Sequence, residues 1–291
     1  MQVRLGSIHS DVRGFDALAE LTKEPGRPAM DFLDIDFSNC QFFEANMAAP
    51  FYAVLVRNLR ECKNIRFSYL KPGIEKILCK NHFLTQFGFV AVFDANQTTL
   101  PFKVFTLSPE VKHFADYLEK YMQGRGIPYM SQGLSKKFHQ SLHEIFQNAA
   151  LHSNSKPGIF TCGQFYPNKK RVDFTISDAG IGIRQNVRRY LRNAKINSCE
   201  AIKWAMQEGH TTKTGKQPGG LGLKLIKDFI RMNKGRIQIV SRHGFYEFSF
   251  QGETIKKMGN DFPGTCVNIE INTNDAYAYC LKSELHSTDI F

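Results

Sequence analysis

The sequence predicts an α/β fold in two parts. Two observations carry that prediction. Strand-like and helix-like apolar periods alternate through residues 31–87. After residue 130, a long apolar-periodic helix is followed by strand patterns that meet glycine turns. The length of 291 residues suits one large domain or two ordinary ones, and 42% hydrophobic with 22% charged residues describes a globular chain.

In the first part, residues 31–37 read as a strand through Phe32, Ile35 and Phe37. Residues 46–62 read as a helix, because Met47, Phe51, Val54, Leu55 and Leu59 recur near the 3.6 period. Residues 64–70 alternate again, and residues 73–87 give a second helix that ends at Gly88. This order implies βαβ units. Residues 95–107 read as the crossover between the parts, since polar turn residues and Pro101 break the pattern. Ser108-Pro109-Glu110 then opens a helix that runs to Met122. A further helix starts near Leu134, and strands are expected at 157–166, 170–177, 235–241, 244–250 and 264–272. The expected division is 1–100, a connecting segment and helix at 101–129, a second domain at 130–273, and a polar tail at 274–291.

Composition excludes several classes. No apolar run approaches bilayer length, and the N-terminus has no signal-like apolar core, so a cytoplasmic protein without a membrane partner is expected. The seven cysteines are scattered, without CxxC spacing, and read as reduced thiols rather than a zinc site or disulfide scaffold. The net charge of +11 is unevenly placed. Residues 1–124 balance 14 Lys and Arg with 14 Asp and Glu, whereas residues 125–291 carry 24 against 13. A basic half implies an anionic partner.

Three segments of that half carry chemistry. In HEIFQNAALHS, residues 143–153, Glu144, Asn148 and His152 share one helical face. A carboxylate one turn from a carboxamide can set a general base beside a ligand for a hard cation such as Mg²⁺. Alternatively, the three form a solvated helix face. In VDFTISDAGIGI, residues 172–183, an alternating strand delivers Asp178 to the glycine turn of Gly180 and Gly182, where main chain can approach a flat ligand. An ordinary Asp-Gly turn is the competing reading. In HTTKTGKQPGGLGLKLI, residues 210–226, a glycine-rich loop opens into a helix whose amides favour phosphate, with Thr211, Thr212, Lys213 and Lys216 just before it. A flexible loop with a glycine cap is the alternative, and the order of a P-loop is absent.

These segments together resemble the GHKL ATPases, the Bergerat-fold group that includes gyrase, chaperone ATPases, histidine kinases and anti-sigma kinases. The resemblance covers residues 130–273 and implies an α/β sandwich with a mixed, mainly antiparallel sheet that binds ATP with Mg²⁺. It places Glu144 as base and Asn148 as Mg²⁺ ligand in the N box. It sets Asp178, Gly180 and Gly182 in the G1 box, with the aspartate on the adenine amine. Gly219, Gly220, Leu221, Gly222 and Leu223 fall in the G2 region, and Gly264-Thr265 in the G3 region, where the threonine binds adenine through water. Thr212 and Lys213 fall in the lid, with Lys213 as a γ-phosphate cation. His152 is either a lid or phosphate contact or a satisfied polar residue. Residues 30–95 resemble a STAS domain. Glu44-Ala45-Asn46-Met47 stands where phosphorylated members place a hydroxyl, which leaves a docking or dimerisation module.

Glu144 stands where sensor histidine kinases usually have Asn, and His139 and His143 read as packing or surface residues. The NAALHS ending resembles bacterial stand-alone members. The leading expectation is a bacterial Mg·ATP hydrolase acting as a conformational switch, its lid closing over Gly219–Gly222. An anti-sigma-type serine/threonine kinase and a non-hydrolysing ATP-dependent binding module are the alternatives. A protein partner or homodimer is expected besides ATP and ADP. Nucleic acid is not favoured. Residues 184–195 read as a basic amphipathic helix, with Arg184, Arg188, Arg192 and Lys195 on one side. It serves as a solvated face, a partner or nucleic-acid surface, or a source of phosphate contacts.

Overall fold

The computed structural model describes residues 2–22, 30–59, 62–106, 111–122, 124–207, 210 and 221–284. The first part contains β1 (Gln2–Arg4), α1 (Val12–Glu20), β2 (Met30–Asp36), α2 (Ala48–Asn58), β3 (Cys62–Ser68) and α3 (Pro72–Lys80). Its strands form a parallel sheet in the order β1-β2-β3. Parallel neighbours require crossovers, which α1 and α2 supply. Two helices are shorter than their periodicity suggests. Residues 45–47 form a 3₁₀ turn before α2, and residues 84–87 form another after α3, closed by Gly88 at φ 87°. The sequence periods do not mark β1 and α1. α1 opens where Asp11 accepts from the Gly14 amide at 2.8 Å.

The second part contains β4 (Thr99–Phe105), α4 (Val111–Met122), α5 (Gln132–His152), β5 (Ile159–Tyr166), β6 (Arg171–Asp178), α6 (Ile183–Leu191), α7 (Ser198–Ala205), α8 (Leu221–Asn233), β7 (Arg236–Ser249) and β8 (Gly252–Asn272). The sheet order is β4-β5-β6-β8-β7, and every pairing is antiparallel. The expectation of a mixed sheet is therefore corrected, because the parallel pairs belong to the other sheet. The supposed crossover at 95–107 contains β4. Pro101 is tolerated there because β4 is an edge strand and its register shifts between Leu100 and Lys103. β7 runs unbroken through the gap expected after residue 241, with bulges at Ser241, Arg242 and Gly244, and β8 begins at Gly252 rather than 264.

The larger sheet is buried on both faces. On one, Val172, Phe174, Ile176, Ile237, Ile239, Ile269 and Ile271 pack with residues of α4, α5 and α8. On the other, Phe160, Cys162, Val240 and Cys266 join the core of the first part. Tyr52 on α2 has its ring 4.9 Å from both Phe102 of β4 and Phe160 of β5. The polar residues of this reverse face are also covered. Asn268 accepts from Asn46 of the first part at 3.1 Å and from Thr175 at 2.7 Å, and donates to Gln238. Arg171 pairs with Glu44, with Asp173 at 3.2 Å and with Glu270 at 2.9 Å. Burial alone would raise the Glu44 carboxyl, but two donors from Ser10 and the Arg171 guanidinium hold it below its ordinary value.

Residues 274–284 fold back onto the start of α5. The Glu284 carboxylate accepts from the Ser131 hydroxyl at 2.5 Å and the Gly133 amide at 3.1 Å. The rest of the expected tail, residues 285–291, lies outside the described residues. Among the described residues no helix is long and apolar enough to cross a membrane. The described cysteines are unbridged, with Cys40, Cys79, Cys162 and Cys266 buried.

Candidate functional site

The site lies between α5, α6, the start of α8 and the sheet. α5 is capped by Ser131, which accepts from the Leu134 amide at 3.2 Å. Its buried stripe of Leu142, Ile145 and Phe146 anchors it to the sheet and leaves Glu144, Asn148 and His152 along one cavity. That cavity measures about 200 Å³. Apolar walls come from Ile176, Ile239, Val267, Met206 and Leu223, and polar groups from Glu144, Asn148, His152, Asp178, Asn186 and Thr265.

Asp178, at the end of β6, is buried at its floor, with 2% of its surface exposed. Burial pushes its carboxyl up to about 7, against the opposing pull of the Gly180 and Thr265 main chains. The Gly180 amide donates to Oδ1 at 2.8 Å. The turn is stitched to the end of α5. The Ile181 amide donates to the Ser153 carbonyl at 2.7 Å, and the Ala179 amide to the Ser155 hydroxyl at 3.1 Å. A Cβ on Gly180 would collide with Ser153, so only glycine permits this approach.

α6 presents Ile183, Asn186 and Val187 to the cavity. The Asn186 amide group donates to the His152 carbonyl at 2.9 Å, which ties α6 to α5. The helix is shorter than the expected 184–195. It ends at Leu191, and Arg192 adopts a left-handed conformation at φ 51°, so Lys195 is not on it. α7 follows, opened by a capping box between Asn197 and Glu200. It brings Trp204 to the cavity, where the indole lies 4.7 Å from the His210 ring.

Of the residues expected at the site, Glu144, Asn148, His152, Asp178, Gly182, Leu223 and Thr265 line this one cavity. Gly180 supports the turn from behind. The main chains of Leu221 and Gly222 form the first turn of α8. Thr212, Lys213, Gly219 and Gly220 lie outside the described residues. His139 contacts the Ser135 carbonyl at 2.8 Å, and the His143 ring lies 6.3 Å from that of Phe114.

Sequence reasoning missed Ser241, Asn186 and Trp204. The Ser241 hydroxyl accepts from the Ile183 amide at 2.9 Å, donates to the Gly264 carbonyl at 3.0 Å and lies 3.1 Å from the Thr265 hydroxyl. It thereby joins α6 to the two strands under the cavity. Nothing local marks such a serine. Asn186 was legible as the residue one turn beyond Ile183, and Trp204 as the chain's single tryptophan.

The donor set suits a purine nucleotide. A buried acceptor at the floor of an apolar slot matches an exocyclic amine on a flat ring. For Mg²⁺, the exposed Asn148 carboxamide offers one oxygen, and that cation keeps several waters when phosphates share its shell. Among the described residues, no group of three or more His, Cys, Asp and Glu is arranged to hold a metal by itself.

An antiparallel sheet with helices over such a cavity is consistent with the GHKL class of α/β sandwich. Residues 133–274 match the family model of histidine kinase-, DNA gyrase B- and HSP90-like ATPases, and a domain of that family is found there. The family implies ATP binding with ATPase or kinase-like chemistry, usually with Mg²⁺. No curated protein matches the chain.

Proposed function

We propose that the chain binds Mg·ATP in this cavity and hydrolyses it, and that the nucleotide acts as a conformational switch. The observation that carries the reading is the convergence of Asp178 with the Glu144 and Asn148 pair on one cavity within the matched domain. Asp178 accepts a hydrogen bond from the adenine amine, and Thr265, held beside Ser241, supports the ring through water. Asn148 gives its carboxamide oxygen to Mg²⁺, which when bound neutralises phosphate charge. Glu144, one turn earlier, takes a proton from water. The water oxygen bonds to the γ-phosphorus, the bond to the bridging oxygen breaks, and ADP leaves with that electron pair.

The switch reading draws on the two-sided burial of the sheet. The first part, α/β and proposed from its STAS resemblance as a docking or dimerisation module, packs on the face opposite the nucleotide. Incubation with γ-labelled ATP tests the proposal. Release of inorganic phosphate by the protein alone supports hydrolysis. Transfer of label to a protein hydroxyl without phosphate release identifies a kinase instead, and binding with neither outcome overturns both.

A further inference from the structure

α6 separates two cavities. Its Ile183, Asn186 and Val187 face the site described above, while Arg184, Gln185 and Arg188 line a second cleft of about 730 Å³. Five cations from four parts of the chain meet there. They are Arg57 at the end of α2, Lys156 in the turn after α5, Arg184 and Arg188 on α6, and Arg242 at the β7 bulge. No carboxylate and no aromatic ring lines it among the described residues.

The charges are poorly compensated. Arg242 pairs with Asp261, and the Arg188 Nε donates to the Ile196 carbonyl at 2.7 Å. Arg57, Lys156 and Arg184 hold no hydrogen bond or ion pair among the described residues. Arg184 and Arg57 are close enough to Arg242 to disfavour its charge, an effect that adds to its burial. The bulge places Arg242 at a strained φ of 55°. The first turn of α6 adds the positive end of its dipole at Arg184 and Gln185. Converging, mutually repelling arginines around a cleft are a receptor for an anion.

We propose that this cleft is a second ligand site, separate from the nucleotide cavity, that takes a small molecule carrying two or more phosphoryl groups. Phosphoryl oxygens suit the forked donors of several arginines better than one carboxylate does. The cations ring a concavity rather than form a strip, and without a stacking ring they offer no platform for the bases of a single strand.

The test uses the full chain and inorganic tripolyphosphate, followed by titration calorimetry. The wild type should bind it, and Arg57→Ser with Lys156→Ser should weaken binding about tenfold or more. Both side chains are exposed, so the variant should fold, and its affinity for ADP should match the wild type. Absence of binding overturns the proposal. So does binding lost in Asn148→Ala but kept in the double variant, which would put the probe in the nucleotide cavity. An oligonucleotide that binds more tightly than tripolyphosphate through Arg57 and Lys156 would overturn the small-molecule assignment. Failure of ATP binding leaves this measurement intact, because its readout is the dependence on Arg57 and Lys156.

Discussion

Gly264 lies directly against Asp178. A Cβ on Gly264 would stand 2.5 Å from the Asp178 Oδ1 and would strike its main-chain oxygen, and the residue holds φ at 84°. Gly264→Ala must move the floor of the cavity or strain the chain. It should cost about 1–3 kcal/mol of stability and weaken ADP binding. Denaturant unfolding and ADP titration measure the two effects. An unaltered variant would show that the strand retreats freely.

The carboxyl of Asp178, raised to about 7 by burial, should give the proposed nucleotide binding a pH dependence. The ionised form is the better acceptor for an amine, so affinity should rise with pH through about 7. Asp178→Asn should flatten the profile. Stability runs the other way. The unfolded chain releases this proton near the ordinary value of 3.8 and the folded protein only near 7. The contribution of Asp178 is therefore full below the lower value and lost as pH rises to the upper one. Unfolding free energies of wild type and Asp178→Asn across that window check the sign.

Glu144→Gln keeps the size of the side chain and removes the carboxylate proposed as the base. Phosphate release should fall by about 10²–10⁴-fold while ATP affinity stays unchanged. Equal loss of both would mean that Glu144 holds the nucleotide rather than activating water.

Trp204 is the chain's single tryptophan and lines the cavity beside His210. ADP should therefore change its emission saturably, and His210→Ala should alter the starting intensity. A spectrum indifferent to saturating ADP would place the nucleotide elsewhere.

Arg171 is the shared counter-charge of Glu44, Asp173 and Glu270. Asp173 is fully buried, and desolvation pushes its carboxyl well up despite that neighbour. Arg171→Met should cost about 3–5 kcal/mol, because it strands the buried Glu44 carboxylate and leaves Asp173 without its donor. The loss should shrink in the triple variant with Glu44→Gln and Asp173→Asn, measured by chemical unfolding.

The sequence reveals the front of the sheet better than its back. Val172, Phe174 and Ile176 announce a strand with one apolar face. Asp173, Thr175 and Ser177 say nothing about what covers the other, and it is covered by residues more than a hundred positions away. Glu144, Asn148 and Asp178 were legible because a helical period and a glycine turn fix their placement locally. Ser241 was not, since its role depends on three segments meeting. β4 was hidden by Pro101, whose penalty vanishes at an irregular edge. α7 was missed although Asn197 and Glu200 spell its capping box.

The joint between the two parts of the chain has a practical meaning for dissection. Cutting before residue 133, where the family match begins, would remove β4 from the sheet edge and uncover the face that carries Asp173 and Cys162. An open strand edge beside stranded polar groups is a recipe for association. The portable unit is thus larger than the recognisable one, and fragments meant to isolate the matched domain should retain residues 2–106.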